Sequence, residues 1–378
     1  MTDVRPFTVE FSDADLADLR DRLARTRWPD PETVDDWSQG MPLSYTQELC
    51  RYWQNDYDFQ AALGRFNAHP QFLTEIDGLD VHFLHVRSPE PNAFPLVITH
   101  GWPGSVAEFL HVIAPLTDPA AHGGDPADAF DIVCPSLPGY GFSGKPAATG
   151  WGVDRIGRAW AELMARLGYE RYGAQGGDWG SMVTASIGRQ DPEHVAGIHL
   201  NMPVAAPDAD TFNDLTPYEQ ATLADLQRHS KVGTGYSKQQ STRPQTLGYG
   251  LADSPAGQCA WIVEKFHEWT DCDGHPENAV PRDHLLDNVL VYWMTDTAAS
   301  SARLYWESYS SVSMDPIQVP TGVSIFPKEI IRPSRRWAAR RFVNIQYWNE
   351  LERGGHFAAM EQAETFVNEV RSFFRLVR

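Results

Sequence analysis

Two glycine-framed positions in this sequence hold side chains able to take part in bond-breaking chemistry. The segment Gln175-Gly176-Gly177-Asp178-Trp179-Gly180 sets a carboxylate between glycines, after an apolar run that reads as a strand and before a stretch over 181–188 that reads as a helix. Glycines flanking a strand-to-helix turn permit the strained backbone that lifts a central side chain above a sheet. A carboxylate there is already ionised, so it can displace at a saturated, strained or polarised carbon and form an ester. The competing reading is that Asp178 caps the following helix or closes an Asx-turn. Near the C-terminus, Gly354-Gly355-His356-Phe357 places an imidazole after an expected strand and before the final helix. In the chain order nucleophile, acid, base, His356 occupies the place of the base.

The orienting acid should precede that histidine at the C-terminal end of a strand. Glu329, in Phe326-Pro327-Lys328-Glu329-Ile330, meets this requirement; a surface salt bridge is its other reading, and Asp208 and Asp210 are the fallback acids. The segment His100-Gly101-Trp102-Pro103-Gly104-Ser105 follows another strand and can turn a backbone N–H toward the elbow. The amides of Trp102 and Trp179 would then form an oxyanion hole for a tetrahedral intermediate. A plain tight turn is the alternative. Trp102-Pro103 is a candidate cis peptide, and His100 is expected to be structural.

These groups need a scaffold, and the hydrophobic pattern supplies one. Short apolar runs over 96–99, 130–134, 172–175 and 198–201 read as buried strands, with helical stretches such as 156–167 between them. That alternation predicts a mainly parallel sheet covered by helices on both faces. Strand signals return over 321–326 and 343–347, followed by a helix with Phe366, Val370, Phe373 and Val377 on one side. Between them, residues 208–315 carry helical stretches and no strand rhythm, which reads as an inserted helical lid. Ahead of the core, Ser12 reads as the N-cap of a helix with Leu16, Leu19 and Leu23 on one face, and 44–63 as further helix. A hairpin is expected over 72–86, turning at Asp77-Gly78. The expected organisation is an N-terminal extension over 1–90 packing on a core of 91–207 and 316–378, with the lid over 208–315.

Composition narrows the function classes. The chain has 378 residues, 42% hydrophobic and 21% charged, as in ordinary globular proteins. Fifty acidic against 31 basic residues give a net charge of −19, which argues against gripping nucleic acid or anionic membranes. No apolar run suggests a signal peptide or a membrane span, so a cytoplasmic protein is expected. Cys50, Cys134, Cys259 and Cys272 form no C-x-x-C pair and read as buried free thiols; the 13 histidines form no metal-binding motif, so neither metal nor cofactor is assigned.

Taken in order, these motifs resemble those of the microsomal-type epoxide hydrolases, a branch of the α/β-hydrolases with a long N-terminal extension. The likeness runs over nearly the whole chain. It is carried by the Phe7-x-Val9 and Thr26-Arg27-Trp28-Pro29 patterns, by His100 to Ser105, Gly176 to Gly180 and Phe326-Pro-x-Glu329, and by Gly354-Gly-His-Phe-Ala-Ala359. The resemblance implies an α/β-hydrolase fold and two lid tyrosines that hold the epoxide oxygen. Gly235-Tyr236-Ser237 resembles the first tyrosine site and Arg303-Leu304-Tyr305-Trp306 the second, giving Tyr236 and Tyr305; Tyr249, Tyr292 and Tyr309 are nearby alternatives that read as lid packing. Mammalian members carry a membrane anchor, whereas this chain begins with the soluble extension, so membrane attachment is not expected.

The expected reaction is hydrolysis of an epoxide to a vicinal diol. Asp178 would form an ester with the substrate, and water activated by the His356–Glu329 pair would hydrolyse it. The expected partners are a small epoxide and water, with a homodimer left open. Lid tryptophans Trp261, Trp269, Trp293 and Trp306 suggest an apolar or aromatic pocket. Detoxification and a dedicated biosynthetic step both fit. The alternatives are a haloalkane dehalogenase, which also uses an elbow Asp and a His, and a non-catalytic binding protein on the same fold.

Overall fold

The computed structural model describes residues 3–378. A single nine-stranded sheet runs through it, with the strands ordered β1-β2-β3-β5-β4-β6-β7-β8-β9. β1 (Arg5–Phe7), β2 (Gln71–Ile76), β3 (Leu79–Val86) and β5 (Phe130–Pro135) pair antiparallel, while β4 (Phe94–Thr99), β6 (Tyr172–Gly176), β7 (Val195–Leu200), β8 (Thr321–Ile325) and β9 (Ile345–Glu350) continue from β5 in parallel. The hairpin expected at Asp77-Gly78 is β2–β3, and Asp77 and Gly78 both adopt positive φ at its turn. Because β3 pairs with β5, the sheet runs continuously across the boundary expected at residue 90.

Strand alternation decides what each face buries. Leu96, Ile98, Ile132 and Cys134 face one apolar cluster, shared with the C-terminal helix Ala363–Phe374 through Phe366, Val370, Phe373 and Phe374. Val97, Val133, Ala174 and Ile198 face the other, which extends into the N-terminal helices and the lid. The four cysteines are buried and free.

Helices α1 (Asp13–Ala24), α2 (Leu43–Asn55) and α3 (Phe59–Phe66) precede the hairpin. Ser12 caps α1 as expected, its hydroxyl accepting from the Asp15 amide at 3.1 Å, and Leu16, Leu19 and Leu23 are the buried face. Helices α4 (Leu110–Thr117), α5 (Val153–Arg166) and α6 (Asp178–Gln190) cover the sheet. Between β7 and β8 every regular element is helical, including α7 (Pro217–Arg228), α8 (Gly235–Thr242), α9 (Pro244–Asp253), α10 (Pro255–Trp269), α11 (Arg282–Met294) and α12 (Ala298–Ser308). Among the described residues no helix is long and apolar enough to cross a membrane.

Several boundaries differ from expectation: the helical stretch over 44–63 is two helices, Leu43–Asn55 and Phe59–Phe66, and the strand expected over 198–201 runs Val195–Leu200. The helix expected over 181–188 begins at Asp178 itself, because the elbow enters the helix without a linker. The last strand lies at Ile345–Glu350 rather than 343–347, and Val343 is half exposed before it. The alternation of the edge strand is weak, so its apolar pattern did not locate its start.

Candidate active site

In the order β5-β4-β6 the chain leaves β4 to one side and returns on the other, so a topological switch point lies between β4 and β6. A crevice at the C-terminal ends of the strands is expected there. The sequence places its chemistry at those ends: the 100–105 segment follows β4 and Asp178 follows β6. Glu329 follows β8 and His356 follows β9.

Asp178 adopts φ = 49°, left-handed backbone that is uncommon for a residue with a side chain and marks a strained turn. The turn is possible because Gly180 lets α6 press against β4; a Cβ there would come within 1.9 Å of the Thr99 carbonyl oxygen. Gly177 is the N-cap of α6 and makes no side-chain capping bond. The Asp178 carboxylate is not spent on capping either: Oδ1 accepts from the Trp102 amide at 2.8 Å. The positive end of α6 adds a favourable field for the carboxylate. The Trp102–Pro103 peptide is cis. Among the described residues the Trp179 amide makes no hydrogen bond to the carboxylate, so only one of the two expected oxyanion donors is engaged in this state.

The second carboxylate oxygen faces the histidine. His356 Nε2 lies 3.5 Å from Asp178 Oδ2, and His356 Nδ1 donates to Glu329 Oε1 at 2.6 Å. The Glu329 side chain is fully buried and that of His356 nearly so. Burial opposes a charge on His356, but the charge of Glu329 and the contacts with Asp178 outweigh it and raise its pKa well above the ordinary value. The fallback acids lie elsewhere: Asp208 accepts from Arg340 at 2.6 Å, and Asp210 is exposed on the same arginine. His100 is structural, its Nδ1 donating to the Gly101 carbonyl at 3.0 Å and its Nε2 accepting from the Leu137 amide at 3.1 Å.

The lid closes this crevice with aromatic rings. Tyr236, on α8, and Tyr305, on α12, are both buried, with ring centroids 5.8 Å apart. Trp102 stacks on Tyr236 at 5.0 Å, and Trp179 meets Tyr305 edge-on at 4.8 Å. Burial first, and then nearby charge including that of Asp178, raises both phenol pKa values well above the ordinary range, so both remain proton donors. Tyr249 is exposed and does not pack the lid as expected, whereas half-exposed Tyr309 stacks on Tyr305 at 6.1 Å and accepts from Ser237 Oγ at 3.3 Å, and Tyr292 is buried. Of the four lid tryptophans, Trp269 alone joins this cluster, 5.2 Å from Tyr236 and 5.0 Å from His356. Trp261 and Trp293 are half-buried elsewhere, and Trp306 is exposed beside an outer groove of about 730 Å³ between 138–151 and the lid.

One group in the site escaped sequence reasoning. A cavity of about 20 Å³, room for one water molecule, is lined by Asp178, His356, Gln175, Asn201 and Glu108. Burial pushes the Glu108 carboxyl up to about 8, with the charge of His356 opposing and that of Asp178 adding, which favours its neutral form. Gln175 Oε1, on the same cavity, has no hydrogen-bond partner within the protein. The spacing Ser105-x-x-Glu108 matches a capping box, a helix-start signal that disguises the glutamate. In the structure Ser105 does accept from the Ala107 amide at 3.1 Å, while Glu108 faces the cavity.

Comparison with known proteins agrees with this architecture over its whole length. Residues 4–109 match the family described as "Epoxide hydrolase N terminus", and residues 95–249 match "alpha/beta hydrolase fold". A Stigmatella aurantiaca protein named provisionally as an epoxide hydrolase is 52% identical, over 99% of this chain and 86% of its own length. Epoxide hydrolase 1 of Sus scrofa is 35% identical, over 99% of this chain and 89% of its own. The crystal structure of juvenile hormone epoxide hydrolase from the silkworm Bombyx mori superposes with a TM-score of 0.90 at 30% identity, covering 100% of this chain and 96% of that one. By fold and by sequence along its full length, this chain belongs to the epoxide hydrolase family of the α/β-hydrolase fold.

Proposed function

We propose that this protein hydrolyses epoxides to vicinal diols through a covalent ester on Asp178. The observation that carries the reading is the position of one carboxylate between two opposed sets of groups. Its Oδ2 faces the His356–Glu329 pair, and the buried phenols of Tyr236 and Tyr305 on the lid, 5.8 Å apart between ring centroids, lie close enough to feel its charge. Asp178 Oδ2 attacks an epoxide carbon, the carbon–oxygen bond breaks, and a tyrosine protonates the alkoxide. The ester no longer carries the Asp178 charge, so one source of the raised His356 pKa disappears and the imidazole becomes a better-matched base.

His356 then takes a proton from water, which adds to the ester carbonyl. The charge that develops on Oδ1 is met by the Trp102 amide. Collapse expels the diol oxygen, which takes its proton from His356, and the proton left on the restored carboxyl returns to the tyrosinate. Glu108 and Gln175 supply polar contacts for a water in the adjoining cavity. The aromatic walls from Trp102, Trp179 and Trp269 favour an apolar or aromatic epoxide.

A single turnover of a styrene oxide-type epoxide in ¹⁸O-water tests the scheme. Label is expected in Asp178, with an unlabelled diol; label in the diol alone would mean direct attack by water and no ester. Asp178→Ala should abolish turnover. The dehalogenase alternative has one feature in its favour, the buried and unpartnered indole N–H of Trp179, which could hold a halide. Halide release from haloalkanes faster than diol formation from epoxides would decide for it.

A further inference from the structure

The peptide that presents the Trp102 amide is tied on its upstream side by His100 Nδ1, which donates to the Gly101 carbonyl at 3.0 Å. At Gly101 a Cβ would come within 2.2 Å of Asp178 Oδ1, so this position cannot carry an anchoring side chain. The carbonyls that follow are held instead from α11 of the lid. Asn288 Nδ2 donates to the Pro103 carbonyl at 2.7 Å, and the Tyr292 hydroxyl donates to the Gly104 carbonyl at 2.7 Å. Asn288 Oδ1 accepts from Ser105 Oγ at 2.8 Å, so both ends of the amide are used. Asn288 and Tyr292 are buried and stand one helical turn apart on the same face.

The position beside them is gripped from another direction. Asp287 accepts from Arg65 at 2.6 and 2.7 Å and also from the hydroxyl of Tyr57. The N-terminal extension thus pins α11, and α11 pins the two carbonyls next to the oxyanion donor. A fork with one donor and one acceptor suits this setting. An aspartate would offer only acceptors to a carbonyl that needs a donor.

We infer that Asn288, aided by Tyr292, is a positioning residue for ester hydrolysis, setting the Trp102 amide where charge develops on Asp178 Oδ1. The inference rests on Asp178 being the nucleophile. It also carries a sign. Negative charge leaves the Asp178 carboxylate during esterification and returns to Oδ1 during hydrolysis, so a misplaced donor slows the second step and spares the first.

The test follows ester formation and decay separately, by rapid-quench intact-mass measurement, in wild type, Asn288→Ala, Asn288→Asp and the milder Tyr292→Phe. Decay is expected to slow by about tenfold or more in the Asn288 variants, and less in Tyr292→Phe, while formation changes little, so the ester accumulates at steady state. Equal slowing of both steps, or a lowered thermal midpoint with unchanged rate constants in the folded fraction, would overturn the assignment and leave Asn288 a lid anchor only. His356→Gln is run alongside. Ester in that variant supports the two-step scheme independently, whereas its absence overturns the scheme and the positioning role together.

Discussion

His356 Nε2 stands 3.5 Å from Asp178 Oδ2, longer than a strong charge-assisted hydrogen bond, while the opposite ring nitrogen is held at 2.6 Å by Glu329. The imidazole is therefore anchored by Glu329 and only approached by Asp178. In the proposed scheme this leaves Oδ2 free to attack, and the ring keeps its orientation when Asp178 loses its charge. The two halves of the reaction can be separated by changing either end of this contact.

His356→Gln keeps a polar side chain but removes the base. With any epoxide turned over by wild type, the variant should form the ester and hold it, giving a protein mass increased by that of the epoxide. Glu329→Gln leaves the ring without its charged anchor, and hydrolysis should slow on the order of 10²–10⁴-fold, as measured in single-turnover decay of the ester. Normal decay in Glu329→Gln would mean that the acid is supplied elsewhere.

Tyr236→Phe and Tyr305→Phe each remove one donor to the opening epoxide oxygen without emptying the aromatic packing. Each should slow ester formation by about 10²-fold and leave ester decay nearly unchanged. Tyr309→Phe, at a residue half exposed to solvent, serves as the comparison and should stay near wild type. Retained ester formation in the Tyr236→Phe, Tyr305→Phe double variant would remove the tyrosines from the mechanism.

Glu108 predicts a pH dependence of stability. Its carboxyl is held near 8 in the folded protein against an ordinary 4.5, so the folded state keeps a proton that the unfolded chain has released. The associated stability is complete below about 4.5 and is lost as pH rises toward about 8. Glu108→Gln should flatten the decline in thermal midpoint across that window. An unchanged slope would mean that the carboxyl is ionised throughout.

Arg65→Ala tests the grip of the N-terminal extension on the lid. It strands the Asp287 carboxylate, whose side chain is 4% exposed, with only the Tyr57 hydroxyl. Removing one partner of a buried pair costs about 3–5 kcal/mol, and the 25% exposure of Arg65 points to the lower end. Urea unfolding should show that loss; a change below about 1 kcal/mol, the scale of a surface pair, would make this contact incidental.

What the sequence could determine by itself was local. A glycine-framed Asp between a strand and a helix, a Gly-Gly-His before the last helix and a Glu just past a strand are each defined within a few residues by turn chemistry and apolar period. All three therefore pointed to the C-terminal edge of one sheet. Where the local pattern was weak, as at Val343 on the edge strand, the boundary moved. The resemblance to a family, and not spacing, singled out Tyr236 and Tyr305 among 13 tyrosines. Only the tertiary structure could decide which buried polar groups meet. Tyr292 lies 188 residues from the Gly104 carbonyl it holds, and Asp287 lies 222 from Arg65. Periodicity assigns a side chain to a face but never names its partner, and a buried donor or acceptor is satisfied by whatever the folded chain brings to it. For the same reason nothing in the sequence singled out Glu108, which the fold sets beside Asp178 and His356.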